Sequence, residues 1–153
     1  MKRLTLLGKI VGSVLICCMT AAAQDKGYWR AMSTTARSIT GDVAISDEKL
    51  AINFANFTIA QIRILNDAEA GAMFNGEIGS GGKGNLYRLN IPAAKKFLHK
   101  NSLCGEEDTE WMVTFVSGRS MQLAFFSGQK PPVFTQEAIS NSTDLCGTFS
   151  YVR

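Results

Sequence analysis

The chain predicts a mainly β domain, a small antiparallel barrel or sandwich of seven to eight strands with one to three short helices. Three observations carry that expectation. Apolar residues recur at every second position in short segments, the period of a strand with one buried face. Turn-forming clusters such as Ser46-Asp47-Glu48-Lys49 and Ser117-Gly118-Arg119 separate those segments. Helical segments do not alternate regularly with the strands, as a layered α/β fold would require.

Taken in order, Ile39, Gly41, Val43 and Ile45 alternate with Thr40, Asp42 and Ala44, and Leu50, Ile52 and Phe54 alternate with Ala51 and Asn53, so a hairpin is expected here. Beyond Ala55-Asn56 a third strand runs from Phe57 to Leu65. Its apolar phase slips between Phe57/Ile59 and Ile62/Ile64, which a bulge near Ala60-Gln61 explains. Asn66 with Glu69 three residues on is a capping box for a short helix, Ala68 to Phe74, that Asn75-Gly76 stops. The strand Leu86–Ile91 follows a glycine-rich loop, Gly79–Gly84. Pro92 suits a first helical position, with Lys95, Lys96, His99 and Lys100 gathered toward the C-terminal end of the expected helix, where the helix dipole favours cations. Trp111 to Val116 and Met121 to Phe125 form the clearest hairpin, with Trp111 expected in the core. Val133-Phe134-Thr135 reads as a short edge strand, and Thr148–Val152 as the last strand, with Phe149 and Tyr151 inward.

Residues 1–23 read as a signal peptide. A basic start (Lys2, Arg3, Lys9) precedes the apolar run Ile10–Met19, and Ala21-Ala22-Ala23 places small residues where a signal peptidase cuts, before Gln24. The run is too short to span a bilayer, so no transmembrane segment is expected after signal removal and the protein is expected to be periplasmic or secreted. Residues 24–153 form a single domain. Of the 16 Lys and Arg, three leave with the signal, and the remaining 13 balance the 13 Asp and Glu. That balance argues against nucleic acid as a partner, because phosphate backbones are bound by clustered cations.

Two cysteines remain outside the signal, Cys104 and Cys146, each within Leu-Cys-Gly. In an oxidising compartment they are expected to form a disulfide. Neither has the basic neighbour of a reactive thiol nor the ligand spacing of a metal site.

No catalytic, cofactor or metal motif stands out. Gly79-x-Gly81-x-x-Gly84 matches a dinucleotide fingerprint in letters only, since a strand rather than a helix follows it. Glu106, Glu107, Asp108 and Glu110 form an acidic run that reads as a solvated loop. His99 is the only histidine, which disfavours histidine-based catalysis or metal binding. Candidate binding residues are Tyr28 and Trp29, an aromatic pair near the mature start, and Arg88 on a strand.

The segments Ile39-Thr40-Gly41-Asp42, Leu86-Tyr87-Arg88, Leu103-Cys104-Gly105 with Trp111, Phe125-Phe126-Ser127-Gly128 and Leu145-Cys146-Gly147-Thr148-Phe149 resemble the landmarks of uncharacterised small exported bacterial proteins. The resemblance implies a shared fold and brings no activity. By strand count the chain is also similar to lipocalin-like and periplasmic inhibitor barrels, at the level of fold alone. The expected function is a secreted or periplasmic binding module for a small apolar ligand or an envelope protein partner. The alternatives are a small hydrolase using the acidic loop and His99, and a structural or stress-related envelope protein with no ligand.

Overall fold

A computed structural model describes residues 24–75 and 81–153. The expected signal peptide, Gly76 and the first part of the glycine-rich loop lie outside these residues. Eight strands, β1 (Gly27–Ala31), β2 (Val43–Ile45), β3 (Lys49–Ile52), β4 (Ala55–Leu65), β5 (Lys83–Ile91), β6 (Thr109–Ser117), β7 (Ser120–Phe126) and β8 (Leu145–Val152), pair antiparallel in chain order. Closure is made by β1 against β8, with Arg30 opposite Val152 and Ala31 opposite Tyr151. Of the two architectures left open by the sequence, the barrel is realised, which removes the free edges that a sandwich would keep. Up-and-down order puts Gln24 to Lys26, the β2–β3 and β6–β7 turns and Arg153 at one end. The β1–β2, β3–β4, β5–β6 and β7–β8 connections lie at the other.

Strand alternation builds two apolar layers. Trp29, Val43, Ile45, Leu50, Ile52, Tyr87, Leu89, Met112, Leu123, Phe125, Phe149 and Tyr151 belong to the interior cluster, and all are buried. The opposite parity of β5 to β7 is buried as well. Leu86, Trp111, Val113, Phe115 and Phe126 lie against Met73 and Phe74 of α2 (Asp67–Phe74) and against Phe134, which precedes α3 (Gln136–Ser140). Trp111 is therefore buried as expected, but in the layer between barrel wall and helices, where its Nε1 donates to Gly128 O at 3.0 Å. Burial on both faces explains why Trp111 to Val116 is almost wholly apolar.

Local signals explain the helices. Asn66 and Glu69 form the expected capping box, and Asn75 ends α2 at φ 49°, the left-handed conformation that asparagine tolerates. The phase slip in β4 is a register shift between Gln61 and Arg63.

Several expectations are corrected. A strand from Ile39 does not form: α1 (Thr34–Ile39) occupies that stretch. The Ser33 side chain accepts from Ala36 N, Gly41 at φ 62° donates to Ala36 O, and the extended chain begins only at Val43. The Gly41/Val43 alternation mimicked a strand across a helix end. Phe54 is no strand residue. Ile52 pairs with Ala55, so Asn53 and Phe54 are the two-residue turn between β3 and β4. After Pro92 there is a turn and a single 3₁₀ turn, Leu98–Lys100, in place of a helix. His99 and Lys100 sit at φ 53° and 63°, incompatible with helix continuation, so no dipole gathers those cations. Val133 to Thr135 forms no strand, because Phe134 turns inward to meet Phe126 edge-to-face at 6.2 Å. Cys146 lies in β8 itself rather than before it.

Candidate functional site

The expected disulfide is present between Cys104, in the β5–β6 connection, and Cys146, with Cα atoms 4.9 Å apart. It ties the β5–β6 connection to β8 at the end of the barrel that also carries Phe54, His99 and the acidic run. Glu106 and Glu107 are exposed, as a solvated loop predicts. Asp108 Oδ1 accepts from Ala93 N at 2.8 Å and so anchors the connection. Glu110 faces Arg88 as an ion pair outside hydrogen-bonding geometry. Among the described residues no hydrogen bond joins His99 to these carboxylates, and no group of three or more His, Cys, Asp or Glu is disposed to hold a metal.

Tyr28 and Trp29 are neighbours in β1 and therefore point to opposite sides of the wall. Trp29 is fully buried in the barrel, with its Nε1 donating to Asp25 O at 2.8 Å and the Arg153 guanidinium 4.2 Å over its ring. Tyr28 is 64% exposed. The expected aromatic pair thus splits into one core residue and one surface residue. Arg88 donates to Glu110 O at 3.1 Å and lies 4.6 Å over the Trp111 ring, so its guanidinium is engaged in clamping β5 to β6.

Two features escaped the sequence. The first is a groove of about 400 Å³ on the outer face of β1 to β3. Tyr28, Ala44 and Ala51 lie side by side across those three strands, and the two alanines with Gly41 give a floor without bulk. Leu98, Asn53 and Phe54 border it. Tyr28 donates its hydroxyl proton to Asp42 Oδ2, while Asp42 Oδ1 accepts from Ala31 N at 2.8 Å. The phenol is held above its ordinary pKa by that bond to Asp42, and the carboxyl is held below its own by the Tyr28 bond and then by the Ala31 amide. Tyr28 is therefore fixed on the surface in a chosen orientation.

Phe54 stands at the tip of the β3–β4 turn, fully exposed, with φ 65°, after Asn53 at φ 46°. Two successive left-handed residues define the turn that natural hairpins fill with Asn-Gly. Phenylalanine in place of that glycine carries about 1–2 kcal/mol of backbone strain. Its side chain recovers nothing by burial. Asn53 alone would have signalled a turn; the apolar spacing of Leu50, Ile52 and Phe54 concealed it.

The second feature is a buried polar centre where the chain enters the barrel. Asp25 is wholly inaccessible, and its Oδ2 accepts from Tyr87 Oη at 2.7 Å, Thr114 Oγ1 at 2.7 Å and Asn85 Nδ2 at 3.0 Å. Gln61 Nε2 supports Asn85 at 2.9 Å, and Lys26 Nζ donates to the Tyr87 hydroxyl at 3.1 Å. Asp25 Oδ1 has no partner among the described residues. Burial, followed by the bond to Asp25, raises the Tyr87 phenol far above its usual range. The centre plugs the barrel end with a hydrogen-bonded network gathered on Asp25 Oδ2.

Comparison with protein-family models, with curated proteins and with solved structures finds no match to this chain.

Proposed function

We propose that this protein is a secreted or periplasmic interaction module that binds a protein of the cell envelope on the outer wall of its barrel, at Tyr28, Phe54 and the groove between them. The observation that carries the reading is Phe54. A fully exposed aromatic side chain is kept in a left-handed turn position where glycine would be less strained. Strain retained without burial is accounted for when the ring is buried by something else.

The groove suits that role. Its floor of Gly41, Ala44 and Ala51 lets an aliphatic or aromatic side chain of the partner approach the strands closely, and Tyr28, oriented by Asp42, and Phe54 are residue types that anchor interfaces. The rival occupant, a small apolar ligand inside the barrel, finds the interior occupied by Trp29, Tyr87, Phe125, Phe149 and Tyr151. The hydrolase reading lacks an assembled base, because Asp108 and Glu110 are engaged structurally and His99 bonds to neither.

Site-specific photo-crosslinking tests the proposal. A benzophenone amino acid at position 54, in cells that produce the protein, should give a discrete protein adduct that Tyr28→Ala abolishes. The same probe at exposed Thr148 should give none. Once the partner is identified by mass, Phe54→Gly should weaken its binding by about 30-fold, the effect of a hot-spot residue. No adduct at position 54 above the Thr148 background overturns the reading.

A further inference from the structure

At the barrel end where Gln24 and Arg153 meet, Lys26, Arg30, Arg119 and Arg153 border a second depression of about 600 Å³, floored by Gly27, Tyr28 and Val152. The register explains the gathering. Arg30 of β1 lies opposite Val152 of β8, and Val152 lies opposite Ser120 of β7, so these positions fall in one row across three strands, about 10 Å wide at ordinary strand spacing. Arg119 and Arg153 flank that row at the strand ends.

Main-chain oxygens hold three of the four cations. Arg153 donates to the main-chain oxygens of Gln24 and Lys26, the latter at 2.7 Å, and stacks on Trp29. Arg119 donates to Arg153 O at 2.8 Å. Lys26 donates to Ser46 O at 2.9 Å and lies 4.9 Å over Tyr87, with the exposed Asp47 at 4.0 Å. Asp42, the other acid nearby, is engaged by Tyr28 and Ala31. No side-chain carboxylate comes within 4.0 Å of Arg30, Arg119 or Arg153 among the described residues. Like charges crowded in this way repel until an anion enters, and Arg119 and Arg153, already held by main-chain oxygens, need little further ordering to meet phosphate oxygens.

We infer that this depression is a binding site for a phosphate-bearing ligand, engaged by Arg30 and Arg119 with Lys26 and Arg153 behind them. Arginine's planar fork matches two phosphate oxygens at once, whereas a lysine patch would act only as point charge. The exposed ring of Tyr28 and the side chain of Val152 give the site an apolar side, which suits a phosphate attached to an organic group. The site shares Tyr28 with the groove but lies toward the opposite end of the barrel from the Phe54 turn, so Arg30→Glu/Arg119→Glu tests it without altering Phe54 or Tyr28.

The test uses the purified protein and the double variant Arg30→Glu/Arg119→Glu, with inorganic pyrophosphate as soluble probe and vesicles of phosphatidylglycerol in phosphatidylcholine as the headgroup source. Pyrophosphate should raise the melting temperature of the native protein, less so as salt increases, and the variant should bind at least about tenfold more weakly. Co-sedimentation with the anionic vesicles and not with pure phosphatidylcholine, with no response to pyrophosphate, assigns the phosphate to a lipid headgroup. A response to pyrophosphate without vesicle binding assigns a soluble ligand. Circular dichroism of the variant establishes that it is folded. Absence of binding to either probe, equal binding by the folded variant, or binding of polyglutamate as tight as that of pyrophosphate overturns the inference; the last would indicate an acidic polypeptide instead.

Discussion

Phe54→Gly is expected to make the protein more stable. The ring is fully exposed, so its removal forfeits no buried area. The φ of 65° is a strained conformation for phenylalanine and a free one for glycine, worth about 1–2 kcal/mol in favour of the variant. Against this stands the greater freedom of glycine in the unfolded chain, about 0.5–1 kcal/mol. The balance is a gain of up to about 1.5 kcal/mol, which for a domain of this size raises the melting temperature by up to about 6 °C. Asn53→Gly serves as an internal comparison: asparagine already tolerates the left-handed region, so its gain should be smaller. Thermal unfolding followed by circular dichroism, with urea midpoints as a second measure, decides the matter. A fall in either midpoint for Phe54→Gly would show that the ring stabilises the fold, and the argument that it is retained for a partner would collapse.

Three further outcomes follow from the same geometry. Asp25→Ala leaves three buried donors facing a lost acceptor and should lower stability by about 3–5 kcal/mol, whereas Asp25→Asn, which keeps an acceptor oxygen, should cost clearly less; urea titrations giving equal losses would contradict the network. Opening the Cys104–Cys146 bridge, which spans 42 positions, should remove about 4 kcal/mol in the chain-entropy model, and a Cys104→Ser/Cys146→Ser variant melting within a degree of the native protein would refute that. Burial holds the Tyr151 and Tyr87 phenols above their unfolded pKa, so their contribution is complete below pH about 10 and declines above it by up to about 1.4 kcal/mol per pH unit for each. Urea midpoints measured from pH 8 to 11 should fall over the upper part of that range, and Tyr151→Phe should flatten the decline.

What the sequence determined is local. Period-two alternation made β5 to β8 legible because each of those strands has at least one face continuously in contact with a core. Asn66 and Glu69 marked a helix start because a capping box lies within four residues of chain. The slip in β4 was visible because one extra residue shifts every later side chain to the other face. The cysteine pair followed from there being two candidates and one oxidising compartment to expect. Where local signals conflicted, reading failed: Gly41 kept the strand period through a helix cap, and Phe54 kept it through a turn.

The rest was decided by tertiary structure, because it depends on which distant segments lie side by side. Closure of β1 on β8 separated a barrel from a sandwich. The same closure chose the side of Trp29, since alternation says only that Tyr28 and Trp29 face apart, and pairing with β2 and β8 says which of them is enclosed. It also brought Lys26, Arg30, Arg119 and Arg153 to one depression in a chain whose charges balance overall after residue 23. Net charge is a sum over the chain, whereas an anion responds to the field where it binds, and that field is set by the strand register.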